Sequence, residues 1–371
     1  MNIAYLSDSI IPSAYANAVN VMKMCEAFSN SGHKTTLFAR TGNARTQTDY
    51  QLYGVQPNFT IVKSWRPKIF TSRCNIKIYL YQLRNKLRRL QTPPDLLYGR
   101  DIYSFEALSN LGIPMIYEAH FSPKTPQQIA TFRHVFACEN FIRLVTVTDF
   151  IKNNLIALFP EIVGKVFVAP SATEIPKFSD TTQVIQNWPG DSQNIQAGYV
   201  GSIKPGKGME LIFTLAQKAL NDHEKIDFHI VGGISKDVQK WQSNSKKIRN
   251  IFFHGFVAHK DLDLYYKHFD VLLAPYSIDY NEGTSPLKIA EYMAHQKPII
   301  ASDVPLVRTM LCHNESALLV NPNNPAAWLT SIEKAATNKE LSVMLTKNAY
   351  AEFLMNYNWE NRAKNVLNGL S

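Results

Sequence analysis

Short apolar, β-branched runs alternate along the chain with longer segments of helical period. In the first half, residues 3–6, 35–38, 96–98, 114–117, 144–147 and 165–169 are predicted strands, with helices such as 17–30 between them. In the second half, residues 197–200, 227–231, 251–253, 271–274, 298–301 and 317–320 repeat the theme. This alternation is the signature of parallel sheets covered by helices on both faces. The stretch 171–193 is rich in Pro, Ser, Thr, Asp and Gln, contains Trp188-Pro189-Gly190, and reads as a linker. The expected fold class is therefore α/β, with two doubly wound, Rossmann-like domains at 1–178 and 179–345 and a C-terminal helix, 346–371, returning to the first. Two such sheets facing one another across a cleft would present their chemistry just after the carboxyl ends of the strands.

Composition narrows the class. The 371 residues suit two domains, and 45% apolar with 19% charged residues excludes wholesale disorder or a coiled coil. No apolar run reaches the roughly 20 residues of a spanning helix, and Met1-Asn2-Ile3-Ala4-Tyr5 lacks a basic signal-peptide head, so a cytoplasmic protein is expected. Cys25, Cys74, Cys138 and Cys312 form no CxxC and no zinc-ligand spacing, so no disulfide framework and no metal site are indicated.

The charge is unevenly placed. Lys and Arg number 39 against 30 acids, and between Asp49 and Asp95 there is no acid at all. Lys63, Arg66, Lys68, Arg73, Lys77, Arg84, Lys86, Arg88 and Arg89 carry the entire excess of +9. Ile76, Tyr79, Leu80, Leu83, Leu87 and Leu90 recur there at helical steps, which predicts an amphipathic basic helix. Its expected partner is an anionic membrane surface met by residues 63–89, either by adhesion of the cationic side or by insertion of the apolar stripe. Nucleic acid is the weaker alternative, because no zinc finger, RNP motif or basic-aromatic stripe accompanies the charge.

Two segments carry candidate chemistry. Ser285-Pro286-Leu287-Lys288-Ile289-Ala290-Glu291 reads as a helix start with Ser285 at the N-cap and proline at the first helical position. Its free N–H groups suit a phosphate, and Glu291, further along, suits a pair of sugar hydroxyls. Gly201-Ser202-Ile203-Lys204-Pro205-Gly206-Lys207-Gly208 follows a strand and opens a helix, so its small residues admit a phosphate that Lys204 or Lys207 would neutralise. It fits neither GxxxxGK[ST] nor GxGxxG. In the first half, the turn 12–20, Arg100 and His120 follow strands whose ends would face the cleft. Asn17 and Asn20 there either offer hydrogen bonds to hydroxyls or phosphate or simply cap the helix.

Together with Val231-Gly232-Gly233, Phe253-His254-Gly255, Asp270 to Pro275 and Pro298 to Ser302, these segments resemble the nucleotide-sugar domain of retaining GT-B glycosyltransferases of the family 4 group. Pro12 to Met24, Ser31-Gly32-His33, Tyr98-Gly99-Arg100-Asp101 and Tyr117-Glu118-Ala119-His120 resemble the acceptor half of bacterial members. The resemblance implies transfer from a nucleotide-diphosphate sugar to a glycan or lipid-linked acceptor in surface-polysaccharide synthesis, with retention of configuration and without a metal cofactor. It implies donor contacts from Gly201, Ser202, Lys204, Lys207, Gly283, Thr284, Ser285, Pro286, Leu287 and Glu291, and catalytic roles for His120, Lys207 and Glu282. Glu291 matches the second of the family's paired acids. The place of the first falls on Gly283, with Glu282 one residue early, and Ser202 stands where the family has arginine. The rival expectation is a sugar-nucleotide epimerase of similar architecture, which would act without an acceptor.

Overall fold

A computed structural model describes residues 1–13, 15–43, 48–66, 72–176, 185–258, 261–278 and 285–370. The chain divides into one unit of Met1–Pro170, Gly283–Ser285 and Trp359–Ser371, and another of Ser171–Glu282 and Pro286–Asn358.

The first unit is built on seven strands: β1 (Asn2–Ile11), β2 (Lys34–Thr41), β3 (Thr60–Ser64), β4 (Leu96–Gly99), β5 (Met115–Ala119), β6 (Phe141–Thr146) and β7 (Val166–Val168). They form one parallel sheet in the order β3-β2-β1-β4-β5-β6-β7, with Ile3 paired to Thr35 on one side and to Leu96 on the other. Side chains alternate across this sheet. Ile3 and Tyr5 join a core with Val21, Phe28 and Val366, whereas Ala4 and Leu6 join one with Phe38, Phe105 and Phe132. Both faces are buried, which is why the strands read as nearly continuous apolar runs. The strand β3 was not anticipated from the sequence, because it lies at the sheet edge and carries mixed polarity.

The second unit repeats the plan with β8 (Ile195–Val200), β9 (Ile226–Val231), β10 (Ile251–Gly255), β11 (Val271–Ala274), β12 (Ile299–Ser302) and β13 (Leu318–Val320), ordered β10-β9-β8-β11-β12-β13. Tyr199 and Leu273 face one core, Val200 and Leu272 the other.

The units divide at Pro170 and Asn358, where the sequence reading placed its boundaries at 178 and 345. The helix Lys339–Asn356 explains the later change. It buries Leu345, Ala349 and Phe353 in the cores of the second unit, while Trp359–Leu367 buries Ala363 and Val366 in the first.

Candidate functional site

In the second unit the carboxyl end of β8 opens into the glycine-rich turn. Gly201 donates its N–H to Val231 O at 2.8 Å, and Gly232 donates to Gly255 O at 2.7 Å, so the ends of β8, β9 and β10 are tied side by side. A side chain at Gly201, where φ is +141°, would meet Lys288 Cε at 2.9 Å, and one at Gly208, φ +87°, would meet Pro275 O at 1.6 Å. Gly208 therefore requires glycine on conformation and on space, and Gly201 on conformation, with the lysine side chain in the way of any larger residue. Gly208 then starts the helix Met209–Asn221 with no side-chain cap. Lys207 Nζ lies 5.6 Å from the centre of the Tyr276 ring, while Ser202 and Lys204 are exposed. A cavity of about 550 Å³ adjoins this turn, lined in part by Gly208, Thr214, Pro275 and Tyr276.

The second motif begins differently from its sequence reading. The helix runs Leu287–Ala294 with Pro286 at the N-cap, where ψ is 69°, so the cap falls one residue after Ser285, on a residue whose side chain cannot cap. Pro286 still contributes its carbonyl, which accepts from Ile289 N at 2.8 Å. Tyr292, on this helix, anchors it to the sheet. Its hydroxyl accepts from Val200 N at 2.8 Å and lies 3.2 Å from both Val200 O and Leu273 O. Lys288 is thereby held over the end of β8, with Glu291 near enough to act on its charge. The Lys288 ammonium sits 3.5 Å from the centre of the Tyr199 ring and 5.5 Å from that of Tyr276. Burial, reinforced by Lys207, pushes the Lys288 ammonium well below the usual lysine range against the pull of Glu291. Glu282, Gly283 and Thr284 lie outside the described residues.

A larger cavity, about 720 Å³, lies away from both motifs. Asp191, Glu224, Asp227, Arg249 and Asn250 line it at the amino ends of the strands, with Leu220 from the C-terminal end of the helix Met209–Asn221, and the glycine turn contributes nothing to it. We therefore assign the chemistry to the carboxyl ends.

In the first unit His120 follows β5. Its Nε2 is 2.6 Å from Glu118 Oε1, and the other carboxylate oxygen accepts from Arg362 Nη1 at 3.1 Å and from the Tyr98 hydroxyl. Arg362 also donates from Nε to Pro170 O at 2.8 Å and from Nη2 to Ala169 O at 3.2 Å. Burial opposes the charge on Glu118, yet Arg362 and the His120 bond hold its carboxyl well below the usual range. Burial lowers His120 in spite of Glu118, and Arg100 lowers it further. A neutral imidazole beside a carboxylate donates its Nε2–H and keeps Nδ1 as an acceptor. His120 and Arg100 are thus brought into one electrostatic neighbourhood. Asn17 and Asn20 lie in the first turns of Ala16–Asn30, but Tyr15 is the N-cap and no side chain caps it, so the capping alternative is not realised. Asn20 Oδ1 is shut from solvent with no hydrogen-bond partner among the described residues. The Glu118, Tyr98 and Arg362 network was not read from the sequence.

The basic helix is Ser72–Arg88. Its stripe turns inward: Tyr79, Leu83 and Leu87 are buried, and the Tyr79 hydroxyl donates to Ser7 O at 2.8 Å. Of the cations in residues 63–89, Lys63, on β3, pairs with Asp49 at 2.5 Å, Lys86 donates to Lys63 O, and Arg84 donates to Asn110 Oδ1 at 3.3 Å. Lys77, Arg88 and Arg89 are exposed, as are Tyr81 (69%) and Trp65 (55%). With Tyr79, Leu83 and Leu87 packed inward, the stripe is not available for insertion, and that alternative is not realised. Lys68 and the side chain of Arg73 lie outside the described residues.

Both halves of the chain match glycosyltransferase models: residues 18–174 that of glycosyltransferase family 4, and residues 180–352 that of glycosyl transferases group 1. YtcC of Bacillus subtilis (strain 168), whose own glycosyltransferase assignment is provisional, is 23% identical over 234 residues, 57% of this chain and 55% of that protein. The chain thus spans just over half the length of that relative. Anabaena Alr3699/HepE, solved with UDP and glucose, has a TM-score of 0.69 at 14% identity and covers 100% of this chain and 99% of its own. The lipopolysaccharide outer core galactosyltransferase WaaB, in its apo form, has a TM-score of 0.68 at 17% identity, with coverage of 100% and 99%. At such identities the likeness is one of fold. The models do not favour the epimerase.

Proposed function

We propose, from the premise that the chain is a glycosyltransferase of the GT-B fold, that it moves a sugar from a nucleotide-diphosphate donor to a glycan or lipid-linked acceptor with retention of configuration. The observation that carries this reading is the convergence, within the second unit, of the Gly201 turn, Lys207 and the start of the helix Leu287–Ala294. Lys207 and the free N–H groups of that first turn are suited to charge developing on a departing diphosphate. Glu291 is suited to the ribose hydroxyls, and Ser285, Pro286 and Leu287 to backbone contacts with the phosphates. HepE was solved with UDP, which supports a nucleotide-sugar here, and WaaB is named for a lipopolysaccharide reaction, which supports a surface-polysaccharide role.

In this reading the leaving phosphate takes the acceptor proton on the same face of the sugar, so no carboxylate nucleophile is required. His120, kept neutral, offers Nδ1 to a hydroxyl of the transferred sugar, while Arg100, Asn17 and Asn20 serve the acceptor. The phosphate charge is met by lysine and backbone donors, so we read the reaction as metal-independent. Loss of activity to a chelator, restored by manganese, would overturn that part. Among the described residues no helix is long and apolar enough to cross a membrane, and attachment is proposed to be peripheral, through the exposed cations of residues 63–89.

The decisive experiment incubates the protein with a panel of nucleotide-sugars and follows hydrolysis by mass spectrometry, then reads the product anomer by NMR. Slow consumption of one donor with an unchanged anomer is expected. Consumption of none, or an inverted product, sinks the reading.

A further inference from the structure

Lys288 is a cation without a stated use. Its ammonium is shut off from solvent and has no hydrogen-bond partner among the described residues, although a lysine carries three donors. The side chain lies across Gly201, in space that any residue larger than glycine would fill, with its Cε 2.9 Å from where a Cβ would stand. The Tyr199 ring beneath it, 3.5 Å from the ammonium to the ring centre, offsets only part of the desolvation. Lys207 reaches the same Tyr276 ring from the opposite motif, at 5.6 Å against 5.5 Å for Lys288. Two like charges brought to one ring repel, unless an anion sits between them.

Ser202, by contrast, has no charge and is exposed, and Lys204 is exposed two residues further on. Neither is directed by packing toward the Tyr276 ring in the way Lys288 is. We propose that Lys288 is the second cationic contact for the donor diphosphate, paired with Lys207 across the Gly201 turn, and that it fills the role for which the turn itself supplies only Ser202. The inference rests on the donor reading above and adds the residue that completes it. It also accounts for Gly201: a side chain there would displace the lysine. In the empty protein the ammonium is costly, held down by burial and Lys207 with Glu291 opposing; a bound diphosphate removes that cost.

The test uses the full chain and four probes, UDP, GDP, ADP and dTDP, together with the unphosphorylated nucleoside of whichever binds. For that nucleoside, K288M is expected to weaken the diphosphate by about 10- to 100-fold and leave the free nucleoside within about twofold, and K204A to weaken the diphosphate less than K288M does. The empty K288M protein should melt no lower than the native one, because a buried polar head with no hydrogen-bond partner among the described residues has been removed, while the melting shift on adding the diphosphate shrinks. K288Q, which keeps a neutral polar head in the same channel, replaces K288M with the same expectation if K288M does not fold. Diphosphate affinity equal to native in the variant overturns the role of Lys288 alone. A lower melting point in the empty variant with an undiminished diphosphate shift does the same, since that is what a merely structural lysine would give. Binding of none of the four diphosphates by the native protein overturns the donor reading, and this inference with it.

Discussion

Arg362 and Glu118, 244 positions apart in sequence, form an ion pair at 3.1 Å in which the side chains are 1% and 0% exposed. The pair ties the C-terminal helix to the end of β5 and orients the carboxylate that His120 meets. Two buried charges are stable only together, and leaving one without the other costs about 3–5 kcal/mol. R362M and E118Q should therefore each destabilise the first unit by about that amount, whereas the double variant should lose less than the sum of the two. Denaturant titration of the three variants checks this; strict additivity would show that the residues do not depend on one another.

The same contact ties stability to catalysis. With Glu118 replaced by Gln, His120 loses the carboxylate that fixes its ring, so transfer should slow while donor affinity holds. H120A should slow it further, and full transfer by H120A would remove the role given to that residue.

On the donor side, the two assigned residues should fail differently. E291A removes a contact to hydroxyls that do not change during the reaction, so nucleotide Kd should rise about tenfold with kcat nearly intact. K207A removes a charge from a group that becomes more negative in the transition state, so kcat should fall as well as affinity. Calorimetry and steady-state kinetics on both variants separate these patterns, and unchanged kinetics in both would withdraw the donor site.

Much of this architecture is legible from the chain. The parallel strands announce themselves because both faces of each sheet are buried, so Tyr5 and Leu6 are both apolar although they point to opposite sides. The strand β3 escaped because an edge strand with one buried end has no such run. The two candidate phosphate segments were visible as local spacing. The helix start shifted from Ser285 to Pro286 because proline, with ψ at 69°, closes the extended entry and lets Leu287 begin the helix. Lys288 sat inside a recognised motif, but its direction over Tyr199 depends on packing between β8 and a helix far along the chain. Arg362 and Glu118 carry no periodic signal at all, since their pairing is set by where the last helix docks.

A histidine cluster predicts acid sensitivity of the second unit. His229 Nε2 is 2.7 Å from Gln196 Oε1 and its Nδ1 is 3.1 Å from His254 Nε2, while Trp188 stacks on His254 and His268 at 4.7 and 4.3 Å. Burial first, then the neighbouring imidazoles, push His229 down to about 3 and His254 to about 4. Because these folded values lie below the unfolded one, the unfolded chain binds more protons under acid conditions. The stability is complete above pH 6.5 and is lost as pH falls from there toward 3–4. His229 alone should cost about 2 kcal/mol at pH 5. Denaturant midpoints at pH 7.5 and pH 5 read the loss, and H229Q should reduce it; an equal loss in the variant would place the sensitivity elsewhere.

The exposed face of the helix Ser72–Arg88 bears on where the protein works. Lys77, Tyr81, Arg84 and Arg88 follow one another at steps of three and four, so they share one side of the helix, and Trp65 is held beside it by Gln82, whose Nε2 donates to Trp65 O at 2.9 Å. Arg84 spends part of its charge on Asn110, and Lys63 and Lys86 are engaged by Asp49 and by Lys63 O, so that among the described residues of 63–89 Lys77, Arg88 and Arg89 are the exposed cations, with Arg66 half-buried beside Trp65. At about 1 kcal/mol for each basic residue near such a surface, three give about 3 kcal/mol, or roughly a hundredfold in partitioning, enough for reversible attachment. Trp65 and Tyr81 suit the headgroup layer, where an apolar ring and a polar tip are both satisfied. K77Q/R88Q/R89Q should lose most of the salt-sensitive binding to vesicles containing anionic lipid while keeping nucleotide affinity, adding R66Q should remove the rest, and K63Q should lose little. Equal binding of the native protein to neutral and anionic vesicles, or undiminished binding by the quadruple variant, would rule out this face as the point of attachment.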